Sequence, residues 1–358
     1  MTVSSATRRL IELIGVEWPI IQAPMAGTST PEMAAAVSNA GGLGSLGVGA
    51  MTPAAAAEAI QAFRARSDRS LNVNVFCHRP AQADPAREAA WLEKLRPEFE
   101  SVRAKAPASI GEVYKSFVDD ESMFRTILAA KPTVVSFHFG LPNEAWIRAL
   151  REAGIVLLGT ATSLDEAIAL VAAGVHVVVA QGYEAGGHRG IFDSDARDDQ
   201  LGTFALTRLL AREIDGPVIA AGGIMDGYGI AAALRLGAGA VQIGTAFIAC
   251  DESSADEAYR AALFSDAAKH TVMTRVLSGR PARCLANRFT AFGATVNARD
   301  VPSYPIAYHA GKALNIAAKA VGESGYGAQW AGQGAPLARS LSAGKLMAAL
   351  IDELNAAR

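Results

Sequence analysis

Eight short, nearly all-apolar runs recur along this chain, and their number constrains the fold more than any other feature. Strands that are buried on both faces of a parallel sheet have this composition. The runs are IIQAPM (20–25), GLGSLGVG (42–49), LNVNVF (71–76), VVSFHFG (134–140), IVLLGTA (155–161), VHVVVAQG (175–182), PVIAAGG (217–223) and AVQIGTAF (240–247). Helical segments fit between most of them. The pattern predicts an α/β protein with a (β/α)8 (TIM) barrel, and an open nine-strand sheet is the alternative.

The ends of several helices are also marked in the sequence. Thr30-Pro31 and Thr52-Pro53 each place a capping hydroxyl before a proline, which predicts helix starts. Glycine, the expected helix stop, comes just before a strand at Gly41, Gly154, Gly174 and Gly237. A last helix that closes the barrel is predicted from Pro336 by the spacing of Leu337, Leu341, Leu346, Leu350 and Leu354.

Two long stretches, residues 77–133 and 251–320, interrupt the alternation of strand and helix. Both leave from the carboxyl end of a strand, which is the face where active sites of such barrels lie. We therefore predict a barrel of residues 1–250 and 321–358 with a helical insertion at about 77–133. Residues 251–320 would form a smaller, mainly helical substrate or lid domain over the C-terminal face.

The charge balance and the cysteines narrow the classes of partner. A formal net charge of −2 gives no field that would recruit nucleic acid or an anionic membrane. No stretch is long and apolar enough to span a bilayer. Cys77, Cys250 and Cys284 lack the spacing of a disulfide framework or a structural zinc site. We expect a cytoplasmic protein with a small-molecule partner and no metal, and a homo-oligomer is compatible with this composition.

The seventh and eighth runs end in glycine-containing loops after the predicted strands, where barrels of this kind usually bind phosphate. They carry Gly222-Gly223 and Gly244-Thr245, whose backbone N–H groups could approach a phosphate without obstruction by a Cβ atom. A pair of glycines can equally make an ordinary tight turn. The chain has no P-loop and no convincing dinucleotide fingerprint, so FMN is the leading phosphorylated cofactor.

Polar residues at the ends of three strands are the candidate functional groups. The loop GYEAGGHRG after Gln181 presents His188 above the barrel mouth, which favours a catalytic role. His138 near the end of the fourth strand ranks next. Asn72 and Asn74 share one face of the third strand, and their amides serve either a flavin's pyrimidine edge or internal hydrogen bonds. Three further residues are expected to be structural or solvated: His176, Arg189 and His270.

Taken together, seven motifs resemble those of class I nitronate monooxygenases over nearly the whole chain. They are QAPMAG, NVNVFCH, SFHFGLP, QGYEAGGHRG, AAGGI, QIGTAF and YPIAYHAGKAL. The resemblance implies His188 as the catalytic histidine and His138 in the substrate pocket. It implies FMN contacts at Ala23, Pro24, Met25, Asn74, Gln181, Gly186, Gly222, Gly223, Gly244 and Thr245. A lid around a small anion would be formed by Tyr114, Tyr304, Tyr308 and Lys312.

The same resemblance implies an activity: FMN-dependent oxidation of alkyl nitronates such as propionate 3-nitronate by O2, giving a carbonyl compound and nitrite. His188 would either neutralise the anion when protonated or abstract the α-proton of a nitroalkane when neutral. One alternative is an NADH-dependent FMN reductase of the same barrel group that acts on quinones or enoyl thioesters. The other is a non-catalytic barrel that binds flavin or phosphate.

Overall fold

Eight parallel strands form a barrel in the computed structural model of the protein, which describes residues 4–357. In chain order the strands are β1 (Ile20–Gln22), β2 (Gly44–Gly47), β3 (Leu71–Phe76), β4 (Val134–His138), β5 (Val156–Ala161), β6 (Val177–Gln181), β7 (Gly187–His188), β8 (Val218–Ala221), β9 (Ala240–Ile243), β10 (Thr271–Thr274) and β11 (Ala282–Leu285). The barrel consists of all but β7, β10 and β11. Each of the eight apolar runs contains one barrel strand, so the predicted fold is confirmed.

The barrel closes between β1 and β2, and a side chain extends this seam. Leu43 N donates to Ile20 O at 2.9 Å, and Gln22 N donates to Leu43 O at 3.0 Å. The Gln22 side-chain oxygen then accepts from Ser45 N at 2.9 Å and takes the place of the next backbone hydrogen bond between β1 and β2. A closed barrel has no unpaired strand edge to protect. The alternative of an open sheet is therefore wrong.

Helices surround this barrel and fill its two interruptions. They are α1 (Ser5–Ile14), α2 (Pro31–Asn39), α3 (Pro53–Arg64), α4 (Pro85–Ser101), α5 (Glu121–Ala130), α6 (Glu144–Glu152), α7 (Leu164–Ala172), α8 (Thr203–Glu213), α9 (Gly227–Arg235), α10 (Thr245–Ile248), α11 (Glu257–Leu263), α12 (Arg288–Gly293), α13 (Ile306–Ala320) and α14 (Ala343–Ala356). Thr30 and Thr52 cap α2 and α3 as predicted, accepting from Met33 N at 3.0 Å and Ala55 N at 3.2 Å.

The last helix begins later than the sequence predicted. Pro336 is the second residue of a single 3-10 turn (Ala335–Leu337), and the side chain of Leu337 is exposed. Helix α14 starts after Ser342, whose hydroxyl accepts from Lys345 N at 3.4 Å. Leu346, Leu350 and Leu354 are buried in the apolar cluster that α14 shares with α2 and α9. The helical spacing therefore indicated the buried face correctly but not the first turn.

The amino-terminal end of the barrel is sealed by apolar side chains. Leu10 and Ile14 of α1 are fully buried in one cluster with inward-facing strand residues. Those strand residues are Ile21, Leu43, Val134, Val156, Leu158, Val177, Val179, Ile219, Ala221 and Ala240. Such layers of branched residues make the interior of the barrel a packed core rather than a pore. A ligand can enter only from the other end.

The two interruptions lie at that other end. Residues 77–133 supply α4 and α5, and residues 251–320 supply α11, α12, α13 and also strands β10 and β11. Strand β11 pairs antiparallel with β10 and with β7, so that Ala282 lies opposite His188. Arg189 N also donates to Pro281 O at 2.9 Å. The second interruption is thus a mixed structure that holds the loop after β6.

No helix among residues 4–357 combines the length and apolar composition needed to cross a membrane. Within the same residues, no three His, Cys, Asp or Glu side chains are grouped so that they could hold a metal ion. Cys77, Cys250 and Cys284 are free thiols, and all of them are buried.

Candidate active site

A cavity of about 430 Å³ opens at the carboxyl ends of the barrel strands. This volume lies within the range of ordinary small-molecule sites, roughly 300–1,000 Å³. Every site residue predicted from the sequence lines it, with the exception of Tyr304. Tyr304 is buried behind the wall, and its ring centroid lies 5.3 Å from that of His188. The structure therefore brings the predicted residues together, while their individual roles stay predictions.

Glycines with left-handed backbone form one wall of the cavity. Gly222 has φ 121° and Gly223 has φ 70°, a region that residues with a Cβ atom rarely adopt. A Cβ atom at Gly222 would lie 2.7 Å from the Thr203 hydroxyl. Among the described residues, the N–H groups of Gly222, Gly223 and Gly244 donate to no other backbone group. Unpaired backbone donors along a glycine-lined wall fit a phosphate group.

The two asparagines of β3 have different environments. Asn74 lines the cavity, and its Nδ2 donates to Ser136 O at 3.1 Å and to Ser136 Oγ at 2.9 Å. Its Oδ1 accepts no hydrogen bond from residues 4–357 and suits a donor such as a flavin ring N–H. Asn72 lies deeper, where its Nδ2 donates to Ser45 Oγ at 3.0 Å and its Oδ1 is buried without a partner. Only Asn74 is placed to meet a cofactor.

The His188 loop is held from beneath by Gln181 and His138. Gln181 Nε2 donates to His188 O at 3.0 Å, and Gln181 Oε1 accepts from Gly190 N at 2.7 Å. His138 Nε2 lies 3.3 Å from the same carbonyl oxygen of His188, and His138 Nδ1 lies 3.1 Å from Thr160 Oγ1. Both ring nitrogens of His138 are therefore engaged. Burial, assisted by the charge of Arg280, lowers the pKa of His138 to about 4.

Arg189 is buried, so the expectation that it is solvated is wrong. Its Nε and Nη2 donate to the two carboxylate oxygens of Asp198 at 2.8 and 2.9 Å. Its Nη1 donates to Gln181 O at 2.5 Å. Burial opposes ionisation of Asp198, but the Arg189 hydrogen bonds outweigh it and lower the pKa of this carboxyl. The bidentate pair compensates the burial of this guanidinium, and the Nη1 bond to Gln181 O ties the loop to the end of β6.

The imidazole of His188 lies in an aromatic enclosure. Its ring centroid is 5.0 Å from Trp330, 5.7 Å from Phe139 and 6.3 Å from Tyr308. Its Nε2 lies 2.9 Å from the hydroxyl of Ser278. Burial, followed by the positive charges that His138, Arg280 and His78 can carry, lowers the pKa of His188 well below its usual value. The neutral form of the His188 imidazole is therefore favoured at pH 7.

A single ammonium group lies at the mouth of the cavity beside two tyrosines. Lys312 Nζ is 4.7 Å from the ring centroid of Tyr308 and 5.6 Å from that of Tyr114. Lys312 forms no salt bridge within residues 4–357, and burial lowers the pKa of its ammonium. Tyr114 donates to the Tyr304 hydroxyl at 2.6 Å, which fixes the position of its ring. This arrangement offers an unpaired cation to a small anion.

The remaining histidines lie outside this cavity. His176 precedes β6, and its Nδ1 accepts from Leu157 N at 2.9 Å, so its predicted structural role is confirmed. His270 is exposed, as predicted, and His309 Nδ1 accepts from Gly111 N at 3.1 Å. His78 is buried with both ring nitrogens unpartnered, and its ring centroid lies 4.8 Å from that of Tyr304.

Sequence reasoning missed Ser278, Arg280 and Trp330. Trp330 lies within the glycine-rich stretch GESGYGAQWAGQGAP (322–336), and this composition was the available signal. Ser278 and Arg280 stand in an unremarkable polar stretch before β11. Arg280 is buried with its guanidinium carbon 4.2 Å from the Phe139 ring centroid, and it forms no salt bridge within the described residues. Its importance depends on a tertiary contact that no local pattern encodes.

Comparisons with known proteins agree with this geometry. A family profile described as nitronate monooxygenase matches residues 7–353. The chain is 60% identical over 355 residues to the nitronate monooxygenase of Paraburkholderia phytofirmans, covering 99% of this chain and 97% of that protein. It is 51% identical over 349 residues to that of Pseudomonas aeruginosa, covering 98% and 99%. The solved nitroalkane oxidase of Streptomyces ansochromogenes is 39% identical with a TM-score of 0.90, covering 99% of both chains. FabK of Thermotoga maritima is 29% identical with a TM-score of 0.72, covering 97% and 96%.

Proposed function

The chain belongs to the nitronate monooxygenase family, and we propose that it oxidises small alkyl nitronates of the propionate 3-nitronate class with FMN and O2. In the net reaction, the C=N bond of each nitronate is replaced by C=O and nitrite is released. Two nitronates and one O2 thus give two carbonyl compounds and two nitrite ions. The observation that carries the proposal is the placement of neutral His188 and unpaired Lys312 over a cavity walled by glycine backbone.

FMN fits the residues that form this cavity. The unpaired N–H groups of Gly222, Gly223 and Gly244 would hold its phosphate, and Asn74 Oδ1 would accept from the ring. The remaining predicted contacts, from Ala23, Pro24, Met25, Gln181, Gly186 and Thr245, also lie on the cavity wall. When bound, FMN would supply an electron acceptor for the nitronate and an electron donor for O2.

The protein's own groups would bind the anion and manage its proton. Lys312, at the mouth of the cavity, would attract the negative charge of the nitronate or of a substrate carboxylate. Tyr114 and Tyr308 would shape the pocket around it, and Tyr304 would hold Tyr114 in place. Neutral His188 would act as general base towards a nitroalkane, and His138 would hold the His188 loop. In this scheme residues 251–320 act as a lid, because they carry Tyr304, Tyr308 and Lys312.

The experiment is to assay the purified protein with propionate 3-nitronate in air. We expect a yellow protein that releases FMN on acid treatment, with nitrite formation coupled to O2 consumption. Release of FAD instead of FMN would contradict the cofactor, and the absence of nitrite from any alkyl nitronate would contradict the reaction. If the protein binds FMN without turning over any nitronate, the non-catalytic barrel is the better description.

A further inference from the structure

The hydroxyl of Ser278 forms a hydrogen bond with the His188 ring from behind the cavity wall. The residue is fully buried in the turn between β10 and β11, within the segment that covers the barrel. Its Oγ lies 2.9 Å from His188 Nε2 and 3.3 Å from Arg280 O. Arg280 N also approaches this Oγ at 3.4 Å. Three polar groups thus meet at one buried hydroxyl.

The direction of the single hydroxyl hydrogen decides which of these groups accepts from Ser278 Oγ and which donates to it. A serine hydroxyl has one hydrogen to donate and two lone pairs with which to accept. If the hydrogen points to Arg280 O, the Ser278 oxygen accepts the hydrogen of His188 Nε2 and every group is satisfied. If it points to His188 instead, the buried Arg280 carbonyl has no donor among residues 4–357. Buried carbonyl groups are almost always paired, which favours the first arrangement.

We propose that Ser278 is a positioning residue that fixes neutral His188 as the Nε2–H tautomer and so leaves Nδ1 as the basic nitrogen. His188 Nδ1 has no hydrogen-bond partner within the described residues and is not fully buried. It is therefore open to the cavity that His188 lines. Orientation of a base through its second nitrogen is a general device of histidine chemistry. Here the orienting group is a neutral hydroxyl rather than a carboxylate.

The surroundings of the ring agree with a neutral base. Arg280 is a buried cation against Phe139, with no carboxylate in a salt bridge to it among residues 4–357. His138 and His78 are the other groups whose charges lower the pKa of His188, and no carboxyl group is among those influences. Tyr304 and Tyr308 are the further titratable side chains beside the ring, with centroids at 5.3 and 6.3 Å, and burial raises the pKa of both phenols, so they stay neutral. A carboxylate at Ser278 would favour imidazolium, whereas a hydroxyl does not.

This tautomer allows Nδ1 to accept a proton from a nitroalkane. Only the identity of that substrate rests on the proposed function. Nδ1 takes the α-proton of the nitroalkane, and the electron pair of the broken C–H bond forms the C=N bond of the nitronate. The negative charge moves onto the nitro oxygens, and His188 becomes imidazolium with Nε2–H still donating to Ser278. A nitroalkane substrate therefore needs this tautomer, whereas a preformed nitronate does not.

The test is the tautomeric state of His188 in the FMN-loaded protein labelled with 15N-histidine, with the His188 signals assigned by their loss in His188→Asn. We expect wild type to show a slowly exchanging Nε2–H and an unprotonated Nδ1 at pH 8. In Ser278→Ala the Nε2–H should exchange rapidly and both tautomers should be populated. A wild-type Nδ1–H form, or an unchanged His188 spectrum in Ser278→Ala, would overturn the proposal.

Ser38→Ala is the matched control, because Ser38 is buried to the same degree at the other end of the barrel. Its hydroxyl also bridges two backbone groups, donating to Ser70 O at 2.8 Å and accepting from Gly44 N at 3.0 Å. Ser38→Ala should leave the His188 spectrum unchanged. Ser278→Ala should lower turnover of nitroethane on the order of tenfold and leave that of preformed ethylnitronate within about twofold. A tautomer that responds as expected in a protein inactive on every nitronate would contradict the proposed function but not this inference.

Discussion

Several polar side chains at the two ends of the barrel have different surroundings. At the amino-terminal end, His176 and Ser38 are satisfied by backbone groups, and α1 seals the interior with Leu10 and Ile14. At the carboxyl end, both ring nitrogens of His78 and the Nε of Arg280 are buried without partners. The first end therefore contributes stability, while the second leaves buried polar groups without partners close to His188, where we propose binding and chemistry.

The largest contrast is expected from glycine substitutions at the two ends. Gly244→Val places a branched side chain on the cavity wall, where a Cβ atom would meet Ala23 Cβ at 3.4 Å, an ordinary contact. The protein should fold but be purified without flavin, and therefore without activity. The control is Gly154→Ala at the other end, where φ is 80° and no neighbour lies within 4 Å. It should cost about 1–2 kcal/mol of stability from backbone strain and keep its flavin. A yellow, active Gly244→Val protein would contradict the phosphate site.

A smaller effect is expected from paired histidine substitutions. His188→Asn removes the base, so turnover of nitroethane should fall about 10²- to 10⁴-fold while FMN stays bound. His176→Asn should keep wild-type turnover and lower the melting temperature, because His176 Nδ1 accepts from Leu157 N. Steady-state kinetics and thermal unfolding separate the two. Equal kinetics of wild type and His188→Asn would make the assignment of the base wrong.

Two lysines on α13 allow a finer test of whether the positive charge of Lys312 at the cavity attracts the substrate. Lys312→Met should raise KM for propionate 3-nitronate about tenfold, which corresponds to ~1.4 kcal/mol, with kcat within about twofold. Lys319 is paired with Asp256 at 2.5 Å, so Lys319→Met should leave KM unchanged. The effect should shrink as salt is added. Identical KM changes in both variants would show that only general surface charge matters.

The smallest expected effect is the response to pH. Because burial above all holds the pKa of His188 well below 6.5, the imidazole stays the free base as the pH falls through 6.5. Turnover of freshly dissolved nitroethane should therefore show no protonation step near pH 6.5, and should fall only at pH values well below 6.5. A histidine with the usual pKa near 6.5 would be about 90% protonated at pH 5.5. A kinetic pKa near 6.5 would contradict the burial of this base.

Much of the fold was predictable because it depends on local patterns. Apolar runs identify doubly buried strands, and Thr30 and Thr52 mark helix starts by their own chemistry. Strand ends were less predictable: β1 ends at Gln22 rather than at Met25, since Pro24 has no N–H group for the ladder. The late start of α14 and the pairing of β11 with β7 depend on tertiary contacts that the pattern does not contain.

Residues of the cavity were predictable where a chemically distinctive residue lies just after a predicted barrel strand. His188 and the glycine pairs meet both conditions. Arg189 was misjudged because its burial depends on Asp198, whose pairing no local motif indicates. Ser278 reaches His188 from 90 positions away along the chain, and such a contact is set by the fold alone.

We propose that the carboxyl end of the barrel holds a flavin that takes electrons from a nitronate. The test is anaerobic mixing of the purified protein with propionate 3-nitronate while the flavin spectrum is recorded. The nitronate should reduce the flavin, and NADH should leave it oxidised over minutes. Rapid bleaching by NADH, with no spectral change on adding the nitronate, would rule out this activity and favour a reductase of the same barrel group.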